Sequence, residues 1–285
     1  IGQELRLRGG RPKVALAALP RDDGKPFAVP GSEQPRVSIV IPVYNKIEYT
    51  IACLRSIAEH AGDVSFEVIV VDDGSSDTTP QRLASVEGIR VQRNAANLGF
   101  IGSCNAGAES ARGEFVLFLN NDTVVTAAWL EALVACIETA PDAGLVGARL
   151  VYPDGRLQEA GGIVFSDASG WNYGRFEDPA DPRYGFRREV DYCSGAAILL
   201  RRALFERLGK FDARYAPAYY EDTDLAFAVR AAGLKVYVEP ASTVIHFEGI
   251  TSGTDTGSGT KRYQVINRDK FAYKLDWLSK ITQYL

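Results

Sequence analysis

Apolar residues in the first half of the chain form short continuous runs, and polar residues follow each run. The first run, VSIVIPVYN, begins at Val37 and is rich in β-branched residues, which is typical of a strand buried on both faces of a sheet. Segments with helical spacing separate the runs. The further strand-like runs are FEVIVVDDGSSD (66–77), GIRVQRN (88–94) and GEFVLFLNND (113–122), and the helical segments are 46–60, 78–86 and 98–111. This alternation predicts an α/β fold with a parallel sheet and right-handed crossovers.

The polar clusters that follow these strands are candidates for a binding site. In an open parallel sheet, the ligand crevice lies beyond the carboxyl ends of the strands. We therefore expect the clusters to converge on one edge of the sheet. They are Tyr44–Asn45, Asp72–Ser75, Asn94–Asn97 and Asn120–Asp122.

The second half of the chain has a less regular pattern. Helical spacing predicts one helix at 127–139 and another at 221–233, with Gly233 just past the end of its helix. Apolar runs predict a strand at 144–152 and a strand that continues into a short helix at 193–202. KVYVE and STVIHF predict two short strands. The segment 249–260, rich in Gly, Ser and Thr, predicts a mobile loop.

The two ends of the chain differ in character from the centre. Residues 1–36 contain five prolines and show no sustained period, which predicts an extended arm or linker. Residues 261–285 carry Phe271, Leu275, Leu278 and Leu285 at helical spacing with basic residues between them, which predicts an amphipathic helix. Its apolar face either packs on the core or meets a membrane surface or a partner.

Composition excludes several classes of protein. The net charge of −4 is spread along the 285 residues without blocks of one sign, so we expect no nucleic-acid partner. The four cysteines form no CxxC pair, which predicts buried free thiols in a reducing cytoplasm. No apolar run approaches the length of a membrane span, and the signal-peptide pattern is missing. Because the sequence begins with Ile1 and contains no Met, we expect it to be a piece of a longer protein with flanking domains.

Asp72 and Asp73, in VVDDGSSD, are the first candidates for chemistry. Asp and Ser at the end of a strand commonly cap the next helix, and Gly commonly makes the turn. A carboxylate is also a good acceptor for the ring N–H or ribose hydroxyls of a nucleoside, and two adjacent acids repel each other unless something offsets their charge. The local pattern leaves both interpretations open.

Asp122, in FLNNDT, is the candidate for holding a metal. The segment can be a buried strand that ends in an Asx turn, with Asp122 or Thr123 capping the next helix. Alternatively, Asp122 binds Mg²⁺ or Mn²⁺ that neutralises a diphosphate, since these ions are commonly held by one or two carboxylates, phosphate oxygens and water.

The segment YYEDTDL places three acids in the first turn of a helix, where they suit the positive end of the helix dipole. Asp222 precedes Leu225, Ala226 and Val229 by three, four and seven residues, so we expect it on the inward face, where it is a candidate general base. Glu221, about 100° round the helix, is expected to face elsewhere and is the weaker candidate.

His246, in VIHFEG, is one of two histidines in the chain. A single histidine after a strand is commonly a structural residue with satisfied hydrogen bonds. The flexible segment that follows also allows its imidazole to complete a metal site begun by Asp122.

These segments together resemble the family 2 glycosyltransferases, whose catalytic domain has the GT-A fold. The resemblance runs from about residue 36 to 268 and rests on seven motifs in one order. They are VSIVIPVYN, VIVVDDGSSD, NLGFIGSCNAG, FVLFLNNDT, SGAAILLRRALFERLGKFD, YYEDTDLAFAVRAAG and VIHFEGITSG. The family's fold implies a domain at 37–260, with a nucleotide-sugar-binding half (37–125) and an acceptor and catalytic half (126–260).

The resemblance implies roles for residues on the donor side. Asp72 or Asp73 matches the acid that binds base and ribose, and Asp122 matches the metal-binding position of a motif that is usually Asp-x-Asp. We expect the amides Asn120 and Asn121 to contact ribose or diphosphate. The other matches to the donor site are Pro42, Tyr44, Asn45, Asn97 and Asn105, although Cys104 replaces the arginine that often precedes the last of these.

The resemblance further implies an inverting enzyme of the hexosyltransferase type, with Asp222 as the general base and His246 near a bound Mn²⁺ or Mg²⁺. The expected donor is a nucleoside diphosphate sugar, of the UDP or dTDP type in preference to GDP. The expected acceptor is a glycan or a lipid-linked glycan of a bacterial surface polysaccharide. We expect the protein in the cytoplasm, with the inner face of the membrane as a place where it associates peripherally.

Aromatic residues are candidates for the acceptor side, because their faces stack well on sugar rings. They are Trp171 and Tyr173, from the Gly-, Trp- and Tyr-rich stretch 161–186, together with Tyr219 and Tyr220. A packed insertion explains the stretch equally well. The competing function is a non-catalytic nucleotide-sugar-binding module of a larger protein. A nicotinamide-dependent dehydrogenase is excluded, because the first strand leads to PVYN with no GxGxxG turn.

Overall fold

The computed structural model describes residue 19, residues 22–249, residue 259 and residues 262–282, with side chains up to residue 275. Most of the predicted loop 249–260 therefore lies outside the described residues. The same holds for most of the predicted arm before residue 22, for the side chain of Leu278 and for Leu285.

The secondary structure alternates regularly up to residue 139 and is richer in short strands after it. The strands are β1 (Phe27–Ala28), β2 (Val37–Val43), β3 (Phe66–Asp72), β4 (Val86–Glu87), β5 (Ile89–Arg93), β6 (Phe115–Leu119), β7 (Thr123–Val125), β8 (Ala143–Val151), β9 (Leu157–Glu159), β10 (Gly162–Val164), β11 (Gly170–Asn172), β12 (Arg188–Glu189), β13 (Ala197–Arg201) and β14 (Lys235–His246). The helices are α1 (Ile47–Glu59), α2 (Thr79–Leu83), α3 (Gly99–Glu109), α4 (Trp129–Thr139), α5 (Arg202–Arg207), α6 (Glu221–Ala231) and α7 (Tyr263–Thr282). Among the described residues, no helix combines the length and apolar character that a membrane span requires.

A ten-stranded sheet forms the centre of the fold. Its main path runs β12-β14-β8-β13-β6-β2-β3-β5, with β7 paired to β14 and β9 paired to β8. The strands β2, β3, β5, β6, β8 and β14 point in one direction, so the sheet is mostly parallel, as predicted. The strand β13 runs antiparallel between β6 and β8 and joins the two halves of the sheet.

Hydrophobic cores cover both faces of this sheet, which explains the continuous apolar runs. In β2, Ile39 and Ile41 pack into the core that includes α1 and α4, whereas Val40 packs into the core that includes α3 and α6. Successive side chains of a strand point to opposite faces, so a strand covered on both faces needs apolar residues at nearly every position.

Two predicted elements differ from the structure. KVYVE and STVIHF form one strand, β14, whose pairing with β8 shifts in register between Glu239 and Thr243. Pro240 lies inside this shift and lacks an N–H group, so the ladder is interrupted there without ending the strand. The helix predicted at 78–86 ends at Leu83, and Val86 enters β4, where it pairs with Phe27 of β1.

The described part of the predicted arm lies along the domain. Its strand β1 pairs in parallel with β4, and Val29 is buried. Asp22 forms an ion pair with Arg82, at 2.7 Å, and the guanidinium of Arg55 lies 4.4 Å from the ring centre of Phe27. Residues 22–36 are therefore held against the domain by backbone and side-chain contacts.

The helix α7 packs on the core through the face that carries Phe271, which is fully buried. Asn267, also fully buried, donates from Nδ2 to the carbonyl oxygens of Tyr215, Ala218 and Tyr219, at 2.6 to 3.0 Å. This side chain ties α7 to the segment that leads into α6. Of the two alternatives for the apolar face of this helix, the part around Phe271 packs on the core.

We expect Asn267→Ala to lower the free energy of unfolding by about 2 kcal/mol, because the buried Tyr215 carbonyl and the partly buried carbonyls of Ala218 and Tyr219 lose the amide donor. Urea denaturation followed by circular dichroism measures the change. Val265→Ala, at an exposed position of the same helix, is the control and should change it by less than about 0.5 kcal/mol. Equal stability of the two variants would show that the hydrogen bonds of Asn267 contribute nothing to the free energy of unfolding.

Candidate functional site

A cleft of about 440 Å³ lies beyond the carboxyl ends of β2, β3 and β6. It is lined by residues from these strand ends, from the start of α6 and from the end of β14. The predicted site residues in this lining are Pro42, Tyr44, Asp73, Asn97, Asn120, Asn121, Asp122, Trp171, Tyr219, Tyr220, Glu221, Asp222 and His246. The polar clusters therefore converge, as the parallel sheet predicts.

Four predicted residues are not part of this lining. Asp72 accepts a hydrogen bond from the Ser75 N–H and pairs with Arg93, so it stabilises the turn after β3. Asn45 accepts from the N–H groups of Ser76 and Asp77. The remaining two are Asn105, which exchanges two hydrogen bonds with the backbone of Phe211, and Tyr173, which packs against Tyr184.

Asp73 connects the end of β3 to the start of α3. Its Oδ1 accepts hydrogen bonds from the Leu98 N–H and the Asn94 amide, each at 2.8 Å, and its Oδ2 accepts from the Gly99 N–H at 2.9 Å. These donors offset the charge of the carboxylate and satisfy N–H groups at the helix start. Of the two adjacent aspartates, Asp73 is the one that reaches the cleft.

Asp122 and His246 meet because β7 pairs with β14, which places His246 opposite Thr123. His246 Nε2 lies 3.2 Å from Asp122 Oδ1 and 3.3 Å from the Asn120 amide nitrogen. Burial lowers the pKa of His246, but the charge and hydrogen bond of Asp122, with weaker help from Glu248 and Glu159, outweigh burial and raise it. The Asp122 carboxylate therefore favours a positive charge at the position of the imidazole.

Gln158 sets the orientation of the His246 ring. Its Oε1 lies 3.1 Å from His246 Nδ1, while its Nε2 donates to Glu248 Oε2 at 3.1 Å. Because the amide nitrogen faces a carboxylate, the amide oxygen must face the imidazole and accept from Nδ1–H. The lone pair of Nε2 in the neutral ring then faces Asp122, and two electron-rich atoms at this distance need a proton or a cation between them.

These residues fit a divalent cation. The outer hydrogen bond from Nδ1 to Gln158 is the arrangement typical of metal-binding histidines. Asn120 Oδ1 is buried and has no hydrogen-bond partner in the described part of the chain, so a further oxygen is free beside the pair. Within the same residues no group of three or more His, Cys, Asp and Glu side chains is assembled, so a cation here would need ligands from a bound molecule or water.

The acids of α6 are presented by a strained turn. Tyr219 and Tyr220 have positive φ values of 77° and 72°, a conformation that non-glycine residues adopt at a cost. The turn directs Asp222 into the cleft, where Oδ2 accepts from the Gly195 N–H at 2.9 Å and Oδ1 accepts from the Thr223 N–H at 2.6 Å. Burial raises the pKa of Asp222, and these donors oppose the rise.

Glu221 lines the same cleft, contrary to the expectation from its position on the helix. It is buried, and its Oε2 has no hydrogen-bond partner in the part of the chain that the structure describes. Burial, then the charge of Asp222, raises its pKa well above the usual range. The helical-wheel argument failed because the first turn of α6 is enclosed on more than one side. The two acids thus differ in environment: both oxygens of Asp222 accept hydrogen bonds from N–H groups, whereas Glu221 Oε2 has no such partner among the described residues.

Several lining residues were not among the site residues predicted from the sequence. Glu159, Glu248 and Arg175 come from the irregular second half, and Tyr192, Ser194 and Gly195 precede β13. In LQEAGG, a buried acid follows a buried Gln and precedes two glycines, and this is the one local hint that the segment does more than pack.

Known proteins are similar to this chain in sequence and in fold. The family model described as glycosyl transferase family 2 matches residues 38–209. The chain belongs to glycosyltransferase family 2. This GT2 domain is therefore a glycosyltransferase, and the family predicted from the seven motifs is confirmed.

Two relatives and one solved structure show how far the similarity reaches. The O-antigen biosynthesis protein RfbC of Myxococcus xanthus is 31% identical over 78% of this chain and 18% of its own length. N-acetylglucosaminyl-diphospho-decaprenol L-rhamnosyltransferase of Mycobacterium tuberculosis is 30% identical over 67% of this chain and 69% of its own. The structure of GalNAc-T7 with UDP, GalNAc and Mn²⁺ matches 80% of this chain and 47% of its own, with a TM-score of 0.63 and 18% identity. The GT-A fold predicted from the sequence is confirmed.

We expect Mn²⁺ to bind the free GT2 domain weakly and to bind more tightly with UDP present, because diphosphate oxygens add ligands that the chain lacks. Gln158→Leu should weaken Mn²⁺ binding in the presence of UDP by about 10-fold, since it releases the His246 ring. Isothermal titration calorimetry measures both. Gln81→Leu, at an exposed position, is the control. Tight binding of Mn²⁺ to the free domain that survives Asp122→Ala would contradict this description of the site.

Proposed function

We propose that the GT2 domain transfers a sugar, with inversion, from a nucleoside diphosphate sugar to an acceptor hydroxyl. The observation that carries this proposal is the arrangement of the cleft, which holds Asp222 at the start of α6 and the Asp122–His246 pair at the strand ends. The first is suited to accept a proton and the second to bind a diphosphate through a cation. Inversion needs a base on the face of the sugar opposite the departing nucleotide.

In this reaction Asp222 removes the proton from the acceptor hydroxyl as the hydroxyl attacks the anomeric carbon. The N–H groups of Gly195 and Thr223 keep the carboxylate oriented and ionised. The bond from the sugar to the diphosphate breaks, and its electron pair leaves on the diphosphate. Asp122 and His246 would hold a divalent cation, Mn²⁺ or Mg²⁺, which would neutralise the charge of that leaving group.

The donor we expect is a UDP or dTDP sugar. Asp73, Tyr44 and Asn97 line the strand-end side of the cleft, where base and ribose would lie, and Asn120 and Asn121 offer neutral hydrogen-bonding groups. Asn121 donates to the buried Thr50 hydroxyl at 3.0 Å, so its amide is held in one orientation. The solved structure with UDP supports a nucleoside diphosphate in a cleft of this fold.

The acceptor we propose is a glycan or lipid-linked glycan in the synthesis of a bacterial surface polysaccharide. Trp171 lines the cleft with about half of its surface exposed, which suits stacking on a sugar ring, and Tyr219 and Tyr220 lie beside the catalytic acids. Relatives named for O-antigen and decaprenol-linked sugar assembly support this class. We place the reaction in the cytoplasm, at the inner face of the membrane where such acceptors are exposed.

A non-catalytic sugar-nucleotide-binding module is the alternative. A module that only binds has no need of a carboxylate whose two oxygens are both held by N–H groups, with a second buried acid beside it. The two functions differ in one measurable property. The enzyme transfers the sugar or hydrolyses its donor slowly, whereas the module does neither.

Asp222→Asn is expected to reduce transfer or donor hydrolysis at least about 100-fold, because the amide cannot accept the proton. The affinity for the nucleotide should stay within about twofold of wild type. The side chain keeps its shape, and the lost charge has little effect on a nucleobase bound far from it. Product formation by chromatography and nucleotide binding by thermal shift measure the two effects. Asp167→Asn, at an exposed position, is the control. Equal low turnover in the wild type and Asp222→Asn would favour the binding module.

The activity should also fall at low pH through Asp222. A base acts when deprotonated, and its raised pKa means that activity is lost as the pH falls through a value above the ordinary aspartate pKa of 3.8. Thr223→Val removes a hydrogen bond from the hydroxyl to Asp222, which favours the ionised form, so the acid limb of kcat/KM should move to higher pH. A pH profile of both proteins tests this. If the acid limb of the kcat/KM profile does not move, a group other than Asp222 is responsible for the loss of activity at low pH.

A further inference from the structure

Glu159 is a buried acid in the cleft whose presence the proposed mechanism does not explain. It ends β9 and is 1% exposed. Its Oε1 accepts a hydrogen bond from the Ser194 N–H at 2.8 Å. Its Oε2 is buried and has no hydrogen-bond partner among the residues that the structure describes. A buried polar atom without a partner destabilises the fold, so it calls for a functional reason.

The neighbours of Glu159 link it to the two working parts of the cleft. The adjacent N–H groups of Ser194 and Gly195 donate to Glu159 and to Asp222, respectively, so one short backbone segment holds both acids. On the other side, Gln158 precedes Glu159 in the chain and hydrogen-bonds His246. Glu159 therefore lines the cleft close enough to Asp222 and to His246 for both of their charges to act on its carboxyl group.

The environment favours the neutral form of this acid. Burial raises the pKa of Glu159 to about 8, with further increases from the charges of Asp222 and Glu248. The Ser194 N–H and His246 act in the opposite direction without cancelling the effect. Because Oε1 already accepts a hydrogen bond, the unpartnered Oε2 is the atom that can carry the proton and donate it to a bound oxygen.

The transferred sugar must lie in this part of the cleft if the proposed function holds. Its anomeric carbon is bonded to the diphosphate on one side and is attacked from the side of the base, so its ring spans the region between Asp222 and the Asp122–His246 pair. A neutral carboxyl group there meets sugar hydroxyls, which both donate and accept hydrogen bonds.

We propose that Glu159 is a specificity-determining residue that hydrogen-bonds a hydroxyl group of the donor sugar through Oε2. The inference rests on the proposed function, since it assumes a sugar nucleotide in the cleft. It adds to that function a residue that contacts the sugar part of the donor and not its nucleotide part. Rejection of donors that lack the matching hydroxyl follows, because they leave the buried Oε2 unpaired.

The experiment compares binding of a sugar nucleotide with binding of its free nucleotide. UDP-glucose, UDP-N-acetylglucosamine and dTDP-rhamnose are titrated with Mn²⁺ into the wild-type chain by calorimetry, with UDP and dTDP as references. The sugar nucleotide whose affinity exceeds that of its own free nucleotide by the largest factor is then used for the variants. This factor is the gain from the sugar. Glu159→Ala should lose about 10-fold in affinity for it, the value of one buried hydrogen bond, and should bind the free nucleotide within about twofold of wild type.

Glu159→Gln is the conservative variant, because its amide can accept from Ser194 and donate at the position of Oε2. It should keep the gain within about threefold of wild type. Glu33→Ala, whose side chain is 96% exposed, is the matched control and should change neither affinity. Melting temperatures establish that each variant is folded. If Glu159→Ala does not fold, Glu159→Asp replaces it, since the shorter side chain cannot reach the same hydroxyl and should lose the gain.

Three outcomes would overturn the proposal. If Glu159→Ala keeps the full gain from the sugar, Glu159 does not contact the donor sugar. If it keeps the gain but raises the KM for the acceptor, its partner is an acceptor hydroxyl. If the wild-type chain binds no sugar nucleotide more tightly than its nucleotide, the proposed function itself fails, and this result appears before any variant is made.

Discussion

The antiparallel pairing of β13 with β6 is the contact on which the cleft depends. Ala197 at the start of β13 pairs with Leu119 at the end of β6, and the Asn120 N–H donates to the Ala196 carbonyl at 3.0 Å. Because the strands run in opposite directions, the segment before β13 lies beside the segment after β6. A parallel strand would begin at the opposite edge of the sheet, and the N–H groups of Ser194 and Gly195 could not reach the acids.

These N–H groups matter because the cleft concentrates acids in a buried place. Asp122, Glu159 and Glu221 are each less than 9% exposed, and Asp222, which is partly exposed, follows Glu221 in the chain. So many ionised groups would repel one another strongly at low dielectric. The structure separates their states: Asp222 has hydrogen-bond donors on both oxygens, whereas burial favours the neutral form of Glu159 and Glu221. This difference is what the proposed function requires, since it assigns Asp222 as the base and Glu159 as a hydrogen-bond donor.

The backbone is strained in the same region. Tyr219 and Tyr220 adopt positive φ values before α6, at a cost of about 1 kcal/mol or more each. Asn267 hydrogen-bonds the carbonyl groups of Tyr215, Ala218 and Tyr219, so α7 holds the turn from behind. The two apolar cores on either side of the sheet supply the stability that the cleft lacks. The C-terminal helix therefore supports the turn that presents Asp222, and it also closes the core.

The sequence by itself determined the parallel strands and the edge at which Asp122 and the other polar clusters meet, because these follow from local periodicity and from the direction of the strands. The family was identified by the resemblance of seven motifs, and the family model confirms it. The sequence could not choose between Asp72 and Asp73, since the choice rests on Arg93 from the neighbouring strand, which pairs with the first. It also placed Glu221 away from the cleft and carried no signal for the role of Gln158 or Glu159. Only the tertiary structure decided these positions, because the environment of a buried acid consists of donors and charges from segments far away in the chain.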